Sequence, residues 1–319
     1  MQNCATPDVH ENIEVSVRLA RDAAKMGAQL IATPEYFSGL RTEDGKFLPT
    51  AFREEEHPVL PAFSDLAREL NVWFLLGSVG VENDDGRISN RSYVLDNSGK
   101  IVARYNKIHM FDVNLEQGSY RESATISPGE EAVVAETPWA QLGLSICYDV
   151  RFAALYRSLA RMGAEILATP AAFTKVTGEA HWHILQRARA IEHGCYVIAP
   201  CQYGTLSGGG QCYGHSLIVD PWGEVLADGG EGEGVIVSEI DLDTVKTARQ
   251  RIPALEHDRA YEGVKIPILK EKRFRPDGTT VQSTSGAPTT SLWARSICSL
   301  RASMACTTLR FFNPAMIAR

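Results

Sequence analysis

The sequence predicts an α/β fold in which mixed sheets carry helices on their outer faces. Three observations carry that prediction. Apolar runs of strand length alternate with helical stretches through the first 260 residues. A phrase occurs twice: Ala24-Lys-Met-Gly-Ala-Gln-Leu-Ile-Ala-Thr-Pro-Glu35-Tyr-Phe37 returns 136 residues later as Ala160-Arg-Met-Gly-Ala-Glu-Ile-Leu-Ala-Thr-Pro-Ala171-Ala-Phe173. No linker interrupts residues 5–260, so the two related halves read as one sandwich rather than two separable domains.

The elements follow in order. Residues 11–26 space their apolar side chains by three and four, which predicts a helix. Leu30–Thr33 is a short buried strand that breaks at a Thr-Pro step. Pro58–Leu70 is helical, and Val72–Val79 is a continuous apolar strand. Arg91–Asp96 and Ile101–Asn106 flank Asn97-Ser-Gly-Lys, a hairpin turn. Ala132–Thr137 and Leu142–Cys147 flank Pro138-Trp-Ala-Gln, a second hairpin. Phe152–Met162 is a helix, Ile166–Thr169 repeats the short strand, and Ala180–Glu192 is a helix with several arginines. Tyr196–Pro200, Gly214–Val219 and Val235–Ile240 are predicted strands, the last two separated by the turn Asp220-Pro-Trp-Gly-Glu, and Thr244–Arg251 is a short helix. Gln2-Asn-Cys-Ala reads as the tail of a strand. Residues 276–319 hold Asp277 against Arg295, Arg301, Arg310 and Arg319, a net charge of +3 within a total of −7. Rich in Ser, Thr and Ala and without periodicity, they are expected to be disordered or loosely docked.

The chain has 319 residues, 44% of them hydrophobic and 22% charged, an ordinary globular composition. A net charge of −7 argues against a nucleic-acid surface or an anionic membrane as partner. No apolar run reaches transmembrane length, and the first residues, MQNCATPDVHEN, lack the features of a signal peptide. The seven cysteines, at 4, 147, 195, 201, 212, 298 and 306, are odd in number and form no C-x-x-C pair. That usage predicts a reduced, cytoplasmic protein with at least one free thiol.

The duplicated phrase contains a difference that bears on chemistry. Its first copy has Glu35 after the strand and its second has Ala171, so the turn can be built without a carboxylate. Cys147 closes the run Leu142-Gly-Leu-Ser-Ile-Cys before Tyr148-Asp-Val-Arg-Phe and a helix. Taken alone, such a cysteine is most often a small buried residue. At a strand end facing a helix N-terminus, however, the dipole is expected to favour the thiolate. Lys107, in Tyr105-Asn-Lys-Ile-His-Met-Phe-Asp112, also follows a strand; taken alone it reads as a surface lysine. Together these three follow strand ends, where α/β sheets gather their sites. A carboxylate can serve as base toward a thiol and then as acid toward a leaving amine, while an ammonium stabilises an oxyanion.

The stretches Leu30-Ile-Ala-Thr-Pro-Glu-Tyr-Phe, Tyr105-Asn-Lys-Ile-His-Met-Phe-Asp and Leu144-Ser-Ile-Cys-Tyr-Asp-Val-Arg-Phe resemble the three motifs of the nitrilase superfamily of carbon–nitrogen hydrolases. The resemblance runs from about residue 2 to about 262, which implies a hydrolase domain over 1–262 and an unrelated extension over 263–319. It implies a four-layer α-β-β-α sandwich that dimerises as α-β-β-α-α-β-β-α. It implies Glu35 as acid/base, Lys107 as oxyanion stabiliser, Cys147 as nucleophile and Glu122 as a second glutamate that orients the lysine, with the backbone N–H of Tyr148 beside the oxyanion. It implies no cofactor and no metal. Thr174-Lys-Val-Thr-Gly-Glu-Ala-His-Trp, Arg187-Ala-Arg-Ala-Ile-Glu and Tyr213-Gly-His-Ser-Leu-Ile-Val-Asp-Pro-Trp-Gly are similar to the branch holding ω-amidase and deaminated-glutathione amidase. By that likeness Arg151 and Thr177 hold a substrate carboxylate, while Phe173 and Thr174 open the stretch expected to line the pocket. A structural ion pair is the other reading of Arg151.

Two departures stand out: the family's first strand begins before the position of Gln2, and Gly208-Gly-Gly-Gln-Cys replaces a charged loop. The shortened first strand would expose a sheet edge. His181-Trp-His183 is a weak metal signal, since no neighbouring Cys or acid completes it. Gly204–Gly210 is no phosphate loop, because no Lys-Ser/Thr follows it. The expected activity is hydrolysis of a small carboxamide, an ω-amide of a 2-oxo dicarboxylic acid or a deaminated peptide, with water as co-substrate and a homodimer or higher oligomer as the assembly. A nitrile or N-carbamoyl hydrolase and an inactive interaction protein are the alternatives.

Overall fold

The computed structural model describes residues 1–263 apart from 45, 116 and 117. The extension expected at the C-terminus lies, from residue 264 on, outside the described residues. Two helices begin the first half: α1 (Val9–Lys25), capped by the Asp8 side chain, and α2 (Val59–Leu70). Their sheet comprises β1 (Leu30–Ala32), β2 (Ala51–Phe52), β3 (Trp73–Glu82), β4 (Ile88–Leu95), β5 (Ile101–Asn106) and β6 (Ile126–Ser127). The antiparallel pair β3–β4 is its spine; β1 and β2 lie parallel to β3, while β4 is flanked by antiparallel β5 and parallel β6. The second half contributes α3 (Ala153–Arg161), α4 (Lys175–His193), α5 (Leu242–Arg251) and a second sheet. That sheet runs in chain order through β7 (Val134–Glu136), β8 (Gln141–Leu144), β9 (Ile166–Ala168), β10 (Tyr196–Ala199), β11 (Leu217–Val219) and β12 (Val225–Asp228). Its central pairs β8–β9 and β9–β10 are parallel and its flanking pairs antiparallel.

Strand alternation sorts the first sheet into two faces. Phe74, Leu76, Tyr93 and Leu95 meet Leu19, Ala23, Phe63 and Leu66 of the helices. Trp73, Leu75 and Val94 point the other way, into one core with Leu142, Leu144, Ile166 and Val197 of the second sheet and with Tyr156, Leu159 and Trp182 of its helices. The result is the α-β-β-α layering. Among the described residues no helix is long and apolar enough to cross a membrane.

The duplicated phrase builds the same turn twice. Gly27 and Gly163 adopt φ of 90° and 101°, a left-handed backbone that glycine takes at little cost. They swing the chain from α1 into β1 and from α3 into β9. Met26 and Met162 stay exposed at both turns.

Several expectations are corrected. Val235–Ile240 is not a strand; the residue before it, Gly234, makes only an isolated bridge with Gln2. The run has strand-like residues, but among the described residues no neighbouring strand hydrogen-bonds to it. Met1 donates its terminal N–H to the Ala32 carbonyl at 2.9 Å. An apolar groove of about 530 Å³ lies beyond, between Leu30–Ala32 and Val235–Ile240. The true partner of β11 is β12, entered through the Asp220 turn. The helix expected from Ala180 begins five residues earlier, at Lys175. Three two-stranded hairpins pair Leu40–Glu43 with Lys46–Pro49, Asp112–Leu115 with Gly118–Arg121, and Tyr203–Thr205 with Gln211–Tyr213. The last contains Gly208-Gly-Gly-Gln-Cys.

Candidate active site

Each of the three motif residues lies just beyond a strand. Glu35 occupies the turn after β1, Lys107 follows β5, and Cys147 opens a short 3-10 turn (Cys147–Arg151) three residues after β8. Their positions depend on a close crossing of chain. At Gly77 a side chain would clash, since a Cβ there would lie 1.9 Å from the Thr33 carbonyl and 2.4 Å from that of Pro34. The Gly77 N–H donates to Thr33 Oγ1 at 2.8 Å, and the Tyr36 N–H donates to Ser78 Oγ at 3.0 Å. These bonds fix both sides of Glu35.

The Lys107 ammonium donates to Glu35 Oε1 at 3.0 Å and to Glu122 Oε1 and Oε2 at 2.9 and 3.0 Å. Glu35 also accepts from Asn90 Nδ2 at 2.8 Å and from the Ala172 N–H at 2.7 Å. Glu122 accepts from the Phe111 N–H at 2.6 Å. Glu35 and Lys107 are both 2% exposed, so Lys107 is not a surface lysine. A charge this deeply buried is tolerated only when paired. Burial opposes the ammonium, but Glu122 and Glu35 outweigh it and hold its pKa well above the ordinary value. Burial first, and then the charge of Glu35, raise the pKa of Glu122, against the pull of Lys107.

Cys147 completes the cluster, with a φ of 50° that is costly for a side chain other than glycine. Its N–H donates to the Pro170 carbonyl at 2.8 Å. Burial, then the negative charge of Glu35, push its thiol well above the usual range, and Lys107 only partly offsets them. Burial works against the thiolate that the helix dipole was expected to favour.

A cavity of about 340 Å³ opens over these groups. Its lining includes Glu35, Lys107, Glu122, Cys147, Tyr148, Phe173, Thr174 and Thr177, all of them expected. Arg151 is not among them. It stands over the Tyr148 and Phe173 rings at 5.8 and 5.5 Å and meets His181 Nδ1 at 3.3 Å. It therefore braces two lining rings, and no carboxylate pairs with it among the described residues. The sequence reading missed Lys46, Phe47, Tyr120 and Arg121, which the two hairpins bring to the cavity. Phe47 stacks on Tyr120 at 5.7 Å and joins those hairpins. It also missed Asn90 and the Ala172 N–H. Tyr36 lines the same cavity with a buried hydroxyl that has no hydrogen-bond partner among the described residues, and burial raises its pKa well above the usual value.

Residues 1–250 match the carbon-nitrogen hydrolase family. A deaminated glutathione amidase of Synechocystis sp. (strain PCC 6803 / GT-S) is 41% identical over 263 residues, which cover 81% of this chain and 96% of that protein. The deaminated glutathione amidase of Homo sapiens is 38% identical, over 81% of this chain and 80% of its own. Among solved structures, the C. elegans NitFhit protein superposes with a TM-score of 0.74 at 34% identity. That match covers 81% of this chain and 63% of the NitFhit chain, so the protein spans less than two thirds of it. A mutant of the amidase from Nesterenkonia sp. AN1, with acrylamide added at its active-site cysteine, superposes with a TM-score of 0.63 at 25% identity over 79% of this chain and 96% of its own. The chain belongs to the carbon–nitrogen hydrolase family.

Proposed function

We propose that the protein hydrolyses a small carboxamide that carries a carboxylate, through a thioester on Cys147. The observation that carries this reading is the buried Glu35–Lys107–Glu122 cluster beside the Cys147 thiol at one cavity. Burial raises the thiol's pKa, and Glu35 takes its proton as the sulfur attacks the amide carbon. The developing oxyanion is held by Lys107 and by the N–H of Tyr148, in the first turn after the nucleophile. The protonated Glu35 then gives its proton to the leaving nitrogen, and ammonia departs from a primary amide or the amine fragment from a deaminated peptide. Glu35 next takes a proton from water, whose oxygen attacks the thioester. Collapse frees the carboxylic acid, and Glu35 returns the proton to sulfur. Glu122 keeps Lys107 charged and aimed.

The substrate class follows from the lining. Lys46 and Arg121 stand at the cavity as cations and suit a carboxylate remote from the amide. The unpartnered Tyr36 hydroxyl suits an acceptor oxygen on the substrate, and Thr174 and Thr177 add polar contacts. The deaminated-glutathione name of the relatives points to a deaminated peptide, and an ω-amide of a short 2-oxo dicarboxylic acid has the same end groups. Product release over a panel of amide, nitrile and N-carbamoyl compounds tests this, read as ammonia from a primary amide and as the amine fragment from a deaminated peptide. Turnover confined to the carboxylate-bearing amides supports it, and preference for a nitrile or carbamoyl compound contradicts it.

We further propose a homodimer in a cytoplasmic setting. Val176, Ile184 and Ile191 of α4 and the nearby Trp222 are 48%, 68%, 50% and 55% exposed, an apolar face suited to a second copy. Light scattering on the purified chain distinguishes the dimer from a monomer. The buried free thiols of Cys147, Cys195, Cys201 and Cys212 suit a reducing compartment.

A further inference from the structure

We infer that His183, His215 and Asp228 form a binding site for a divalent transition-metal ion of the zinc class, separate from the residues that carry the hydrolysis. The three residues come from α4, from the segment before β11 and from the end of β12. His183 Nε2 lies 3.0 Å from Asp228 Oδ2, and His215 Nδ1 lies 2.9 Å from Asp228 Oδ1. Their donor atoms all fall within 4.8 Å of one another. Three donors this close can share an ion after a small opening, because zinc binds imidazole nitrogen and carboxylate oxygen at about 2.0–2.2 Å. Two imidazoles and one carboxylate select zinc and its first-row neighbours over calcium and magnesium, which prefer oxygen donors. The fourth position faces solvent, since all three side chains are between 21% and 35% exposed.

The donors are held as metal ligands commonly are, by bonds outside the cluster. The Gly230 N–H donates to Asp228 Oδ1 at 2.9 Å. Tyr213 stacks on the His215 ring with centroids 4.5 Å apart. Trp182 Nε1 donates to the His215 carbonyl at 2.7 Å, and the His215 N–H donates to the Gly230 carbonyl at 2.7 Å.

A second, independent observation is backbone strain. Among the described residues, five other than glycine have left-handed φ: Tyr36, Asp44, Asn71, Cys147 and His215. Asn71 ends α2, Asp44 lies in the turn of a hairpin, and Tyr36 and Cys147 line the cavity. His215, at φ 52°, ends no helix and closes no hairpin. Its strained backbone aims the imidazole at Asp228, and such strain gathers where a side chain must be presented. The sequence reading saw His183 beside His181 and found no acid to complete a site. The structure supplies Asp228 from 45 residues away, and His181 turns instead toward Arg151.

A bound ion would tie α4 to the β11–β12 edge. The N-terminal end of α4 carries Thr177 at the cavity, and the Tyr213 N–H donates to the Phe173 carbonyl at 2.9 Å. The site thus braces one wall of the cavity without entering the reaction.

The test uses the full chain freed of metal by chelation and titrated with zinc by calorimetry and with cobalt(II) by visible absorption. Wild type should bind one equivalent with a cobalt spectrum of tetrahedral type, and zinc should raise its melting temperature. His183→Ala and Asp228→Asn should each weaken that binding by more than about 10-fold. Both should remove the zinc-dependent rise in melting temperature while ammonia release from the amide persists. Absence of saturable binding in wild type overturns the inference, whatever the state of the variants. Binding that survives intact in His183→Ala assigns the ion to thiols and overturns it equally.

Discussion

The turns after β1 and after β9 descend from the same phrase and do different work. After β1 the turn buries a carboxylate; after β9 it buries Ala171 and offers backbone instead. The Ala172 N–H donates to Glu35 and the Pro170 carbonyl accepts from the N–H of Cys147, so the second copy holds the charged residue of the first and the thiol together. A repeat at the level of strands has become a division of labour at their ends. One copy supplies the titrating group, and the other supplies fixed dipoles that need no reorganisation. The two turns also meet through Gln202, whose Nε2 donates to the carbonyls of Glu35 and Tyr36 while its N–H donates to that of Ala171.

The largest effect should come from removing the difference itself. Glu35→Gln keeps the shape of the turn and removes its base, so kcat should fall by about 100- to 10,000-fold with little change in melting temperature. A loss below about tenfold would mean that the carboxylate is not the proton carrier. Next, Lys107→Met leaves two carboxylates buried without their cation and should cost about 3–5 kcal/mol in denaturant unfolding. Adding Glu122→Gln should restore part of that stability but not the turnover. If the single variant is as stable as wild type, the charges are not as dry as their burial indicates.

The halves should resemble each other in acid. His57 in the first and His193 in the second are buried and pushed down to about 4 by loss of water, and among the described residues His57 Nε2 and both His193 ring nitrogens lack hydrogen-bond partners. Each is neutral when folded, while the unfolded chain binds a proton below its ordinary pKa of 6.5. Stability should therefore fall as pH drops from 6.5 toward about 4, by about 3 kcal/mol for each histidine at the lower end. His57→Gln should flatten the pH dependence measured by urea unfolding; an unchanged slope would mean that water reaches the ring. The smallest effect belongs to Asn90→Ala, which removes one of the donors to Glu35 and should lower kcat/KM by about tenfold, near 1.5 kcal/mol. A loss as large as that of Glu35→Gln would show that the dipoles outweigh the base.

The sandwich and its charged cluster were legible because local pattern encodes them. Both Met-Gly-Ala turns, the apolar run of β3 and the hairpin at Asn97 declare themselves within a few residues. Glu35 was visible because its twin lacks it. What the sequence hid depends on partners far along the chain. Val235–Ile240 has strand-like residues but no neighbour to pair with, whereas Val225–Asp228 alternates weakly yet finds β11. The raised pKa of Cys147 reflects burial, which the dipole argument left out. The position of the Arg151 side chain over Tyr148 and Phe173 was likewise not readable from the sequence. Lys46 and Arg121 reach the cavity only because Phe47 and Tyr120 stack across two hairpins.

The central claim is that Cys147 carries the acyl group and Glu35 moves the proton. It is tested most directly by quenching the wild-type protein during turnover of an amide substrate and measuring the mass of the peptide that contains Cys147. The account predicts an acyl adduct on that peptide, which hydroxylamine releases, which is absent from Cys147→Ala and which forms far more slowly in Glu35→Gln. Ammonia release that persists in Cys147→Ala, with no adduct on the wild-type thiol, would contradict it.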